Sequence, residues 1–583
     1  NTAIGDVALN TNTTGTYNTA IGESVLRYNT TGTSNTAVGM STMVRNTTGI
    51  SNATLGTTSL FENTIGSYNV ALGMDALRAN VANSTSVAIG HNSMKYADSR
   101  TTGITTGNTA IGYEALMGST TAANNTGQNN TSVGYQSMLS NTSGTQNSAF
   151  GNLALNSNTT GSYNTAFGFV SLGQNTSGID NTAFGTNSLQ FNTTGNSNLG
   201  IGNGAGRNNT TGSNNTALGA YDALRNNTTG SNNTVIGFNA MYSNVGNNGT
   251  VAIGHNAMYF ADDRTTGRIT GNTAVGYESL KGSSTAANNT GQNNTAIGYQ
   301  ALLSNTSGNQ NSALGSGSLM NNTTGNYNSS FGFNSLTNNT TGLYNAAIGS
   351  LALSANTTGE NNTAVGDQAL SSNTTASNNT AVGRTTLGNN TTGANNTSVG
   401  FISMNANTTG IENTAVGSYS SWHNTTGGQN TAVGAFTLEA NTTGSSNSAF
   451  GFHSLEDNTT GTDNLAFGVG ALYNNKANSG SIAIGTSSMF YADSRTTGRI
   501  TGNTAVGYQS LMGSTTAANN TGQNNTALGY QSLASNTTGS SNTAIGYSAM
   551  SSSSTYSNST ALGYNAQVTA SNQIQLGDAN ITD

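Results

Sequence analysis

The chain has 583 residues, of which only 6% are charged, with 14 Lys+Arg against 21 Asp+Glu, and it contains neither cysteine nor proline. Without cysteine there is no disulfide framework and no thiolate metal site. So few cations form no basic stripe for phosphates, which argues against nucleic acid as a partner, and no apolar run is long enough to suggest a membrane span.

From Gly5 onward a short phrase, T-A-(I/V/L/F)-G, recurs: Gly5, Gly22, Gly39, Gly56, Gly73 and Gly90 lie 17 residues apart. Thirty-three such grid glycines run to Gly577, separated by 24 intervals of 17 residues, six of 22, one of 18 and one of 14. A fixed short period across a chain signals a stacked, quasi-one-dimensional architecture. Asn1-Thr2-Ala3-Ile4-Gly5 is already a repeat phrase, as expected of a processed or partial product. No composition break or charge block divides the chain, so residues 1–583 are expected to form one continuous, elongated domain.

The coil ending at Gly39 illustrates the unit. Asn, Thr and Gly favour turns and strands over helix, so Asn29-Thr30-Thr31-Gly32 is read as a turn, with Gly32 supplying a backbone angle closed to other residues. Asn35 to Val38 is predicted as a first short strand, Gly39 as a corner and Met40 to Val44 as a second strand. Seventeen residues at ~3.3 Å each accommodate two short strands and two turns, and coils pairing in parallel at ~4.8 Å make a rod of roughly 160 Å. The absence of proline fits such a ladder, which needs almost every backbone N–H. The fold class is therefore all-β, a parallel β-solenoid of about 33 coils.

Apolar residues fall in adjacent pairs: Ala20 and Ile21 before Gly22, Val25 and Leu26 after it. Neighbours on a strand point to opposite faces, so two readings stand: a roll packed inside itself and also against other copies, or small Ala merely fitting a narrow turn. Ile21, Val38, Leu55, Leu72 and Ile89 are expected to form one buried column, joined by Leu26 from the second strand.

The 22-residue coils come as three consecutive pairs, at 90–134, 254–298 and 485–529. Each pair carries an aromatic, acidic and basic phrase: Tyr96-Ala97-Asp98-Ser99-Arg100, Phe260-Ala261-Asp262-Asp263-Arg264 and Tyr491-Ala492-Asp493-Ser494-Arg495. Inserts in solenoids map to loops on one face, often the binding face. Tyr96, Asp98, Arg100, Asp262, Arg264, Tyr491, Asp493 and Arg495 are therefore candidate loop contacts for a glycan or a neighbouring chain, or local pairs that merely order a longer loop.

Asn12, Asn29, Asn46, Asn158 and Asn192 recur at one coil position, each an N-x-T acceptor. Two readings compete: glycosylation at the rod surface, where a turn position is expected to place these side chains, and a stacked asparagine ladder bonded at the coil spacing. Catalysis finds no support, and neither cofactor nor metal is implied. His91, His255, His423 and His453 are scattered along the repeats and cannot converge, and Gly200 to Gly206 resembles a phosphate loop only superficially, since no helix follows it.

The phrase N-(T/S)-A-(I/V)-G-x-x-(A/S)-(L/M), as in Asn294-Thr295-Ala296-Ile297-Gly298-Tyr299-Gln300-Ala301-Leu302, resembles the head repeats of trimeric autotransporter adhesins. It is also similar to the Asn/Thr/Gly arrays of bacterial and phage fibres that precede an endosialidase-type chaperone domain. The final 14-residue interval, Gly563 to Gly577, matches the adhesin-type coil, and residues 564–583 look like the end of such an array. The resemblance implies a left-handed β-roll, homotrimeric or filamentous self-association, and an extracellular, cell-surface or virion-fibre location. The 17-residue coils depart from it by three extra residues each. Three functions follow as expectations: a non-catalytic structural shaft of a fibre or adhesin, a glycan- or receptor-binding fibre module using the inserted loops, and an ice-binding solenoid built on regular threonine rows.

Overall fold

The structure is a computed structural model describing residues 1–97 and 99–580. The chain divides into two compact units, Asn1–Ala296 and Ile297–Asp583. Each is a parallel β-solenoid, as the period predicts. Within the first unit the strand Thr2–Ile4 pairs in parallel with Thr19–Ile21, that with Thr36–Val38, and so on coil by coil, in repeat register save for one shift: Thr19 opposite Thr36, Ala20 opposite Ala37, Ile21 opposite Val38. The second unit follows the same rule, for example Thr363–Val365 on Thr380–Val382. Almost every strand is three residues long. The exceptions are Leu199–Asn203 and Thr216–Tyr221, whose register shifts between Ile201 and Asn203, next to the 18-residue interval. Gly200, in the phosphate-loop look-alike, thus lies in a strand.

The second predicted strand does not form. After most grid glycines the chain runs through turns in which alternate residues take positive φ: Ser24 at 58° and Leu26 at 49°, then Ser41 at 54° and Met43 at 49°. Left-handed backbone costs a non-glycine residue about 1–2 kcal/mol, and stacking on both sides supplies the compensation. Leu26 N donates to Thr42 O of the next coil at 3.1 Å, Tyr28 N to Val44 O at 3.0 Å, and Ser24 N to Asp6 O of the preceding coil at 2.8 Å. The alternation also turns the adjacent Val25 and Leu26 both inward, and neither is exposed.

On the strand itself the expected faces are reversed. The buried column is the small middle residue (Ala20, Ala37, Thr54, Ala71, Ala88), while Ile21 is 36% and Leu55 54% exposed, with Val38, Leu72 and Ile89 half-buried. The coil is so narrow that its interior holds little beyond the strand Ala and the two inward residues of the turn segment, such as Val25 and Leu26, so the larger aliphatic residue of the strand is forced outside. Leu26 and its equivalents Met43, Leu60 and Leu77 do form the core column expected of them.

Both glycine columns have a steric origin. Gly22 sits at φ 128°, and a Cβ there would lie 2.6 Å from Gly39 O of the next coil. Gly32 is not at positive φ, contrary to the sequence reading. It is glycine because a Cβ would meet Asn29 Oδ1 at 2.4 Å and Gly49 O at 2.5 Å.

Candidate functional site

Two asparagine ladders run through the interior. The first is built from the turn asparagines. Asn29 Nδ2 donates to Asn12 Oδ1 at 2.7 Å and to Gly32 O at 3.0 Å, and Asn46 repeats the pattern onto Asn29. Asn29, Asn46, Asn158 and Asn192 are buried and Asn12, in the first coil, is half-buried. This corrects the surface placement expected of them: the side chain must turn inward because the carbonyl of the glycine three residues on lies inside the turn. The second ladder uses the asparagine opening the N-T-A phrase. Asn35 takes Asn18 Oδ1 with both its backbone N–H at 3.0 Å and its Nδ2 at 3.2 Å, and gives its other N–H to Gly49 O at 2.8 Å. Sequence reasoning missed this ladder, although the same asparagine recurs in nearly every coil and could have announced it. Threonine hydroxyls add a third bonded row, Thr30 Oγ1 reaching Thr47 O at 3.0 Å.

The insert coils form local ionic clamps. Asp262 is almost fully buried and accepts from Arg264 Nε at 2.9 and 3.0 Å and from Nη2 at 2.5 Å. Arg268 Nη2 approaches the same carboxylate at 2.9 Å and donates through Nη1 to Thr290 O at 2.7 Å. Asp493 repeats the arrangement with Arg495 and Arg499. The hydrogen bond to Asp262 raises Arg264 above its ordinary pKa, whereas burial lowers Arg268 despite the attraction of Asp262. The arginines Arg268 and Arg499 were not anticipated; their signal is the Gly-Arg-Ile-Thr phrase shared by the second and third pairs, where the first has Ile104. Asp98 lies outside the described residues and Arg100 is exposed. Tyr96 and Tyr491 contribute through their backbone: their carbonyls accept from Asn125 and Asn520 of the second insert coil. Beside the arginines, Ile269 and Ile500 are 76% and 77% exposed.

The outer surface carries an apolar column formed by the residue before each grid glycine, and a mixed column, aromatic in places, formed by the residue after it. The residue before the glycine (Ile21, Leu55, Phe150, Phe167, Phe184 in the first unit; Leu314, Phe331, Ile348 in the second) points out, as does the residue after it (Tyr113, Tyr135; Tyr530, Tyr547). Aromatic members stack along the coil direction: Tyr508, Tyr530, Tyr547 and Tyr564 have ring centroids 5.2, 4.9 and 5.3 Å apart. Ring faces are consumed within the stack and only edges look outward. Three of the four histidines join such stacks, His91 on Tyr113 at 5.3 Å, His255 between Phe238 and Tyr277, and His453 on Phe436.

Threonine also forms an exposed row. In the second unit Thr324, Thr341, Thr358, Thr375, Thr392, Thr409, Thr426, Thr443 and Thr460 are exposed, one per coil. Among the described residues no group of three or more His, Cys, Asp or Glu could hold a metal ion, and no helix is long and apolar enough to cross a membrane. No protein-family model matches the chain, and no curated protein matches it.

Proposed function

We propose that this chain is the non-catalytic structural shaft of an extracellular fibre or surface adhesin, assembled from several copies side by side. The observation that carries the reading is the outward apolar stripe beside the grid glycines, repeated at the coil spacing within each unit. Exposed apolar surface of this extent marks an interaction face. A stripe repeating at ~4.8 Å is matched along its length only by a partner with the same repeat, and a second copy of the chain has it. The resemblance to adhesin heads and fibre arrays points the same way and suggests three chains. Internal amide ladders suit a load-bearing element, because each coil is tied to the next by side chains as well as backbone.

Sedimentation velocity of the full chain tests this. A defined multi-chain species is expected, shifted toward monomer when Phe167, Phe184 and Ile348 are all changed to Ser. A wild-type monomer at every concentration would overturn the proposal.

A second reading, attachment through the inserts, is favoured by the exposed Ile269 and Ile500 beside clamped arginines. It requires that Ile269→Ser with Ile500→Ser abolish attachment and leave the assembly intact. The ice-binding reading rests on the nine-coil threonine row and requires thermal hysteresis that Thr392→Tyr weakens.

A further inference from the structure

The first asparagine ladder is interrupted at the 22-residue coils, and the interruption has two complementary ends. Asn475 is the last rung before the third insert pair; it is 1% exposed, yet its Oδ1 has no hydrogen-bond partner among the protein groups. Asn80, the last rung before the first pair, has the same unpartnered Oδ1, and so does Asn244 before the second. On the far side of the third pair, Asn536 Nδ2 donates only to Gly539 O at 3.0 Å. On the far side of the first, Asn141 Nδ2 donates only to Gly144 O at 3.1 Å. In a regular coil that nitrogen serves two acceptors, as Asn158 does with Gly161 O and Asn141 Oδ1. The first and third interruptions therefore each present an acceptor at one end and an unused N–H at the other. Ala97 and Ala492 stand 17 residues after Asn80 and Asn475, where the next rung belongs.

Between those ends lies a cavity of about 30 Å³ in both pairs, walled by Asn80, Ala97 and Asn141 in the first and by Asn475, Asn478, Ala492 and Asn536 in the third. The Oδ1 of Asn478, also 1% exposed, is unpartnered as well. A ligand must donate to the oxygens and accept from the nitrogen. An anion fails at the oxygens. A cation cannot accept from Asn536, and it would add to the net positive charge of Asp493, Arg495 and Arg499. A neutral molecule that both donates and accepts fits, and the volume admits about two waters at ~10–15 Å³ each. We propose that the first and third insert pairs are hydration sites, in which about two ordered waters occupy the gap in the amide ladder, one satisfying the acceptor at its near end and the other the unused N–H at its far end. The inserts are thereby solvated joints in an otherwise dry amide stack.

A high-resolution crystal structure of the full chain is the test. Density is expected within ~2.7–3.2 Å of Asn475 Oδ1 and of Asn536 Nδ2. Collapse of the cavity with Asn475 Oδ1 bonded to a protein group would overturn the proposal, as would a peak with six or more oxygen neighbours at ~2.3–2.6 Å, which is a calcium-like cation. The variant Ala492→Asn adds a second readout. Its amide is expected to occupy the rung position, donate to Asn475 Oδ1, displace at least one water and raise the melting temperature. Unchanged waters, with the introduced amide turned away from them, would count against the site.

Discussion

Asn192 donates to Asn175 Oδ1 at 2.9 Å while its own Oδ1 accepts from Asn209 Nδ2 at 2.8 Å, so one buried amide links three consecutive coils. Its second N–H goes to Gly195 O at 3.0 Å. Both Nδ2 hydrogens and the Oδ1 of this side chain are engaged, and each partner is itself buried.

Asn192→Asp is therefore expected to be far more damaging than its size suggests. A carboxylate has no hydrogen to give, and it would face Asn175 Oδ1 and Gly195 O, both acceptors. An uncompensated buried charge costs about 3–5 kcal/mol. Hydrogen exchange should show the loss concentrated in the coils between Gly185 and Gly219. Exchange rates equal to wild type would mean that the ladder contributes nothing to the stack.

Ala37 and Val38 separate the two sides of the strand. Ala37→Asp puts a charge into the core column and is expected to destabilise by several kcal/mol. Ala37→Leu overpacks the same narrow space, at a cost of about 1–3 kcal/mol. Val38→Asp, one residue on, should cost the fold of a single chain about 1 kcal/mol or less, since that side chain faces outward, and should act mainly on assembly, since Val38 belongs to the outward stripe. Melting temperatures of the three variants under conditions where the chain is monomeric check the order; a Val38→Asp penalty as large as that of Ala37→Asp would place Val38 in the core.

The repeat and the parallel stacking were legible because the period is written in every coil. The faces were not. The adjacent pairs Ala20–Ile21 and Val25–Leu26 look alike in sequence, yet the first straddles a strand and the second lies in a run of alternating φ, where both residues turn inward. Hydrophobicity alone also assigned Ile21 to the core, whereas coil width decides in favour of Ala20. The asparagine ladder was one of two readings for Asn29, and what decides it is the position of Gly32 O, which no local pattern displays. Arg268 and Arg499 escaped because the Asp–Arg pair looks complete by itself, and nothing local marks the residue following the next glycine as a second partner.

Asp75 ties three coils together and should make them acid-sensitive. Burial alone would raise its pKa, but the hydrogen bond from Thr58 at 2.5 Å and the contact with Lys95 Nζ at 3.0 Å outweigh it, with Arg78 adding to the effect. The net shift is downward from the ordinary carboxylate value. A lowered folded pKa means the stabilisation is complete above the unfolded value of about 3.9 and fades as pH falls through the folded value. Melting temperature measured from pH 6 to pH 2.5 should drop below about pH 4, and Asp75→Asn should remove part of that slope. An identical slope in the variant would exonerate Asp75.

The turn asparagines are expected to carry no sugar. At Asn29, Asn46, Asn158 and Asn192 both hydrogens of Nδ2 are committed, one to the preceding rung and one to a glycine carbonyl. An N-linked glycan replaces one of those hydrogens and would have to leave through a packed wall, so a modified chain could not close that coil. Exposed sequons outside both ladders face no such conflict. Asn124, Asn288 and Asn519 each open an Asn-Asn-Thr acceptor. All three are exposed and end the short 3-10 turns Ala122–Asn124, Ala286–Asn288 and Ala517–Asn519 of the insert pairs. If the native protein is glycosylated, peptide mapping should find sugar there and bare asparagine at the four ladder positions. Sugar at Asn46 or Asn192 in folded material would contradict the buried ladder itself.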